Sequence, residues 1–91
     1  MSEKENVYEI LEHIHVIKRA NTGWDLELNF VRWYDHEPKF DLRWWRRSNR
    51  KYGKGITLNL DELMSLKKTM DGFPENSEYA KGMMGVNEQN Q

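Results

Sequence analysis

Between Lys39 and Asn59 the chain reads KFDLRWWRRSNRKYGKGITLN, a run of cations broken by aromatic rings. Arg43, Arg46, Arg47, Arg50, Lys51 and Lys54 lie in it with Trp44, Trp45 and Tyr52, and no acid falls between Arg43 and Lys54. Guanidinium and ammonium groups attract phosphates, and unpaired bases stack on flat rings. The mixture suits a single nucleic-acid strand. Taken alone, the stretch Arg46 to Lys51 reads as a solvated loop; its position at the end of an aromatic strand makes phosphate binding an equal reading. Lys54, between Gly53 and Gly55, sits where a phosphate could approach closely.

Other chemistry is poorly supported. His13 and His15 share a strand face and His36 lies in a loop, but no carboxylate spacing completes a metal motif, so no metal is expected. Asp25 with Glu27, or Asp35 with Glu37, could imitate a catalytic pair. Neither has a nucleophile or phosphate-binding loop beside it, so an enzyme, a cofactor and a small-molecule substrate are not expected. The sequence holds no cysteine, which excludes disulfides and a cysteine-ligated zinc. The start, MSEKENVYEI, has no apolar run of the length a signal peptide or membrane span needs, and a cytoplasmic protein without membrane contact is the expectation.

Formal net charge is −1 over 91 residues, which argues against nucleic acid until the distribution is considered. Glu3, Glu5, Glu9 and Glu12 dominate the start, and Asp71, Glu75, Glu78 and Glu88 the end. The positive field is focused on the middle.

The elements that must position those residues follow from periodicity. Val7 to Lys18 is rich in β-branched residues and predicts a strand, and Lys18 to Gly23 a turn. Trp24 to Trp33 alternates, with Trp24, Leu26, Leu28 and Phe30 assigned to the core. The third strand, Lys39 to Trp45, turns Phe40, Leu42 and Trp44 inward and Lys39, Arg43 and Trp45 outward, on the side of Trp33. Lys54 to Leu58 is a short fourth strand, and Asn59 with Glu62 caps a helix that Gly72 and Pro74 stop. Residues 74–91 are polar and aperiodic and are expected to be a disordered tail, leaving 7–73 as one nucleic-acid-binding domain.

EHIHVI in the first strand, GW-x-x-ELN-x-V-x-W in the second, PKFDLR-x-W in the third and GKGITL before the helix occur in this order. With them the stretch from about Tyr8 to Phe73 resembles the transcriptional positive cofactor four (coactivator) single-stranded-DNA-binding domain family, in its bacterial YdbC-type branch. The resemblance implies an α+β fold: a twisted four-stranded antiparallel sheet followed by one C-terminal helix, through which a homodimer forms. It also implies charged channels for single-stranded DNA. Carried over, Trp33 and Trp45 are the stacking positions, Arg43 the arginine of Asp41-Leu42-Arg43, Lys54 the lysine of Lys-Gly-Ile, and Asn59 the polar residue closing strand four. The chain departs from the family at Trp44, where an acid is usual, in the extra cations Arg46, Arg47 and Arg50, and at Tyr34, Asp35 and His36, where the eukaryotic branch is basic.

The expected function is thus binding of single-stranded DNA with little sequence preference. Trp33, Lys39, Arg43, Trp45, Arg46, Arg47, Lys51, Lys54 and Asn59 are the expected contacts, and transcription, replication or repair the processes served. The competing readings are an RNA-binding protein and a protein–protein adaptor that uses the same aromatic and basic face.

Overall fold

The structure, a computed structural model, describes residues 7–73 and 75–89. The chain divides into two units, Met1–Leu60 with the sheet and Asp61–Gln91 with almost all of the helical residues.

The sheet is an antiparallel meander in chain order: β1 (Tyr8–Arg19), β2 (Trp24–Trp33), β3 (Lys39–Arg46) and β4 (Tyr52–Leu58). The β1–β2 turn needs Gly23, whose φ of 99° is costly for any residue with a Cβ. Ala20 and Trp24 close it, the Ala20 N–H donating to the Trp24 carbonyl at 2.9 Å. Two other connections use left-handed residues that are not glycine, Tyr34 after β2 and Arg50 before β4, each with φ 56°. Pairing of β1 with β2 slips at Ile10/Glu12, His13/His15 and Val16/Lys18. Such bulges bend the strand and break strict alternation.

Burial alternates along β2 from Trp24 to Arg32, and on β3 it falls on Asp41 and Trp45, but within this chain the buried side is the opposite of the one the apolar residues predict. Asp25, Glu27, Asn29 and Val31 on β2, and Asp41 and Trp45 on β3, are the buried positions. Trp24, Leu26, Leu28, Phe30, Phe40, Leu42 and Trp44, assigned to the core from sequence, are only half-buried, and Ile56 is exposed. The reason is that the polar face closes over itself: long arginine and aromatic side chains lie across it and pair with its carboxylates. Trp45, expected to face outward, is completely covered by that layer.

In the second unit, α1 (Leu60–Met70) follows Asn59 directly. Asp61 and Glu62 in its first turn and Lys67 and Lys68 in its last complement the helix dipole. Within this chain none of its residues is buried, and Leu60, Met64, Leu66 and Met70 are exposed. The stop expected at Pro74 lies outside the described residues, and within residues 74–91, expected to be disordered, a second helix forms, α2 (Glu78–Gln89). Ser77 starts it, its Oγ accepting from the Ala80 N–H at 3.2 Å, with Glu78 in the first turn.

Candidate nucleic-acid interface

The closed face is built from three buried carboxylates and the arginines that reach them. Asp25 receives Arg47, through Nη2 at 2.7 Å and Nε at 3.2 Å, and Arg19 at 3.0 Å. Glu27 receives both terminal nitrogens of Arg50, at 2.9 and 3.0 Å, and the Asn29 amide at 3.1 Å. Asn29 in turn meets His13 Nδ1 at 2.7 Å. The bond from Arg47 holds the Asp25 carboxyl below its ordinary pKa, and the bond from Arg50 does the same for Glu27; burial opposes both.

Asp41, with no exposed surface, serves two functional candidates at once. It accepts from Arg43 Nε at 3.0 Å, from Arg43 Nη2 at 2.8 Å, and from the Trp33 indole at 3.1 Å. Arg43 Nη1 donates to the Gly53 carbonyl at 3.0 Å. Thus fixed, the guanidinium lies 4.7 Å from the centre of the Trp33 ring, within cation–π range. A Cβ at Gly55 would come within 2.5 Å of both Arg43 Cβ and the Leu42 carbonyl, so this glycine is what lets β4 pass Arg43.

Behind Arg43 the rings pack together. Trp33 and Trp45 are nearly parallel, 9° apart with centres at 6.3 Å. Tyr8 meets Trp45 edge-on at 4.9 Å, and Tyr52 meets Trp33 edge-on at 5.2 Å. Arg50 lies 5.1 Å from the Trp45 ring, and its carbonyl accepts from the Tyr8 hydroxyl at 3.0 Å.

A cleft of about 340 Å³ opens beside this cluster and brings together Trp33, Lys39 and Arg43, three of the residues singled out from sequence. Tyr34, His36, Glu37, Tyr52 and Thr57 complete it. Sequence reasoning placed none of these five in the site, although Tyr52 stood in the basic–aromatic run and Tyr34 and His36 were noted as departures.

The remaining candidates are elsewhere. Trp45 is beneath the cluster, without exposed surface. Arg47 is committed to Asp25 and to the Ala20 carbonyl, which it reaches at 2.9 Å. Arg46 is exposed, its guanidinium 5.7 Å from the Trp24 ring, and Lys51 is exposed in the β3–β4 loop. Lys54 lines a depression with Leu26, Leu42, Trp44 and Ile56, on the apolar face. Asn59 lines another with Phe30, Phe40 and Leu60. The expected single surface is therefore divided between the two sides of the sheet.

No family model matches the sequence. An uncharacterized protein of Treponema pallidum (strain Nichols) is 31% identical over 66 residues, which cover 72% of this chain and 78% of that protein.

Proposed function

The chain belongs to one family with that Treponema pallidum protein, and we propose that it binds single-stranded nucleic acid, DNA in the first instance, with little sequence preference. The observation that carries this reading is the cleft. It places an exposed lysine, an immobilised arginine and exposed aromatic rings around a space of about 340 Å³. Phosphate attraction and base stacking are the two forces that hold an unpaired strand, and both have donors there. A stacked duplex presents no free base face to such a cleft.

The active species in this proposal is a homodimer, as in the family that the sequence motifs resemble. Two apolar surfaces support it. The α1 side chains Leu60, Met64, Leu66 and Met70 are exposed in the single chain, and so is Ile56 on the sheet face opposite the carboxylates. Burial of such surface on association is favourable at roughly 25 cal/mol per Å².

The test is a titration of a labelled oligo-dT at two salt concentrations, with a duplex control and light scattering of the free protein. Lys39, Arg46, Lys51 and Lys54 have no carboxylate partner among the described residues, whereas Arg43, Arg47 and Arg50 do. Of these cations Lys39 lines the cleft, beside the paired Arg43. With a slope of about −0.7 per phosphate neutralised on a single strand, contacts from these two groups give a log–log salt slope of about −0.7 to −1.4. Negligible binding at low salt, or binding no tighter than to duplex, overturns the proposal. A monomer at the binding concentration overturns the dimer.

A further inference from the structure

We infer that the side chains which receive bases in the cleft are Tyr34 and Tyr52, with Trp33 and Trp45 packed against Tyr52 as supports. This rests on the nucleic-acid reading above and assigns its stacking residues. A ring can stack on a base only if one of its faces is open to the strand. Trp45 has no exposed surface. Trp33 is half-buried, carries the Arg43 guanidinium at 4.7 Å and lies nearly parallel to Trp45. Trp45 thus has no free face, and Trp33 lines the cleft with the Arg43 guanidinium already stacked on it. Tyr34 and Tyr52, in contrast, are 58% and 41% exposed, and both line the cleft.

The backbone supports a dedicated role for Tyr34. A bulky residue at φ 56° is a conformational outlier, and such outliers concentrate at functional sites. Two hydrogen bonds hold this one: its own N–H donates to the Val7 carbonyl at 2.7 Å, and the His36 N–H to the Trp33 carbonyl at 2.9 Å. The turn thereby sets the Tyr34 ring beside the His36 ring, with centres 5.8 Å apart. Asn or Gly would fit that backbone with less strain, so it is the ring that calls for explanation. On the inner side, Arg43 supplies a flat cation already stacked on Trp33. Its bonds to Asp41 and Gly53 use three of the five N–H groups of a guanidinium and leave two for a phosphate or a base edge. Arginine planes accept bases by stacking as aromatic rings do.

The experiment compares wild type, Tyr34→Asn, Tyr34→Phe and Tyr52→Leu for affinity to oligo-dT, with a thermal melt of each. It adds photocrosslinking of an oligo-dT carrying 5-iodo-deoxyuridine, mapped by mass spectrometry. The wild-type titration decides the nucleic-acid reading; the variants and the crosslinks decide this inference. Tyr34→Asn tolerates the left-handed backbone, so its melting temperature should equal or exceed that of wild type. Its affinity should fall about tenfold, within the range for losing one stacked base, while Tyr34→Phe binds like wild type. Crosslinks should fall on Tyr34 or Tyr52. A Tyr34→Asn protein that binds as tightly as wild type, or crosslinks confined to Trp33 and Trp45, would overturn it.

Discussion

Replacing Asp41 by Asn keeps the size of the side chain while removing its charge and one of its two acceptor oxygens. The consequence can be worked from the bonds. One oxygen takes Arg43 Nε at 3.0 Å, and the other takes Arg43 Nη2 at 2.8 Å, the Trp33 indole at 3.1 Å and a share of Arg43 Nε at 3.1 Å. Asn can serve only one of these oxygen positions, and its amide N–H groups would oppose donors at the other. Arg43 is 15% exposed, so water cannot replace what is lost. A hydrogen bond to a charged group contributes about 1.5–3 kcal/mol, and stripping a buried ion pair of one partner costs about 3–5 kcal/mol. With one acceptor oxygen retained, and with Gly53 still holding Nη1, the expected loss is about 2–3 kcal/mol. For a domain of this size that lowers the melting temperature by roughly 8–24 °C.

The assay is urea unfolding followed by tryptophan fluorescence on Asp41→Asn, Arg43→Met and the double variant. Once Asp41 has become Asn, removing Arg43 should cost little more, giving a coupling of at least ~1.5 kcal/mol. Costs that add, or an Asp41→Asn loss below about 0.5 kcal/mol, would refute the argument that this carboxylate fixes the site arginine.

Three further outcomes follow from the same face and from α2. Asp25 and Glu27 titrate below their ordinary values in the folded protein, so each contributes stability that is present at neutral pH and lost as pH falls through about 4 and below. Urea midpoints should therefore drop between pH 6 and pH 3. Glu27→Gln should lower the midpoint at neutral pH and flatten its acid dependence, and parallel curves for the two proteins would count against the pairing with Arg50. Gly55→Ala should destabilise by about 2 kcal/mol or more, since its Cβ would meet Arg43 and the Leu42 backbone and overpack the strand pair. Gly82→Ala, in α2 with nothing within 4 Å, should stabilise that helix by about 0.5–1 kcal/mol, seen as a gain in helical circular dichroism.

Period-two patterning was enough to find β2, from Trp24 to Trp33, and to divide β3 between its faces. It could not say which face closes. Within the single chain the rule that apolar means inside is reversed because Asp25, Glu27 and Asp41 have arginine partners, and Arg47 and Arg50 lie 22 and 23 residues from the acids they bind. A run without acids looked free in sequence because its acids sit on a neighbouring strand. The bulges in β1 leave no local signature beyond imperfect alternation. For α2, polar composition and the glycines outweighed a start signal that was present: Ser77 as cap, with Glu78 behind it. Tyr34 was hidden for another reason, since nothing local marks a tyrosine for a left-handed turn.

These observations change what the arginines of the basic stretch are for. A guanidinium held by a carboxylate has most of its charge compensated, so Arg43, Arg47 and Arg50 attract a distant phosphate weakly. What they gain is a fixed position. An arginine free in solution must lose rotamer entropy of about 2 kcal/mol when it stacks on a base or clamps a phosphate, and Arg43 has lost it on folding. The stacked pair Arg43–Trp33 is thus presented rigid, while unpaired Lys39 supplies the mobile charge in the same cleft. In the proposed function such a division favours a strand whose bases are already unstacked, because geometry, more than charge, selects what enters. It also accounts for a near-neutral chain with a basic–aromatic centre: three of the seven cations between Lys39 and Asn59 are balanced by carboxylates of β2 and β3.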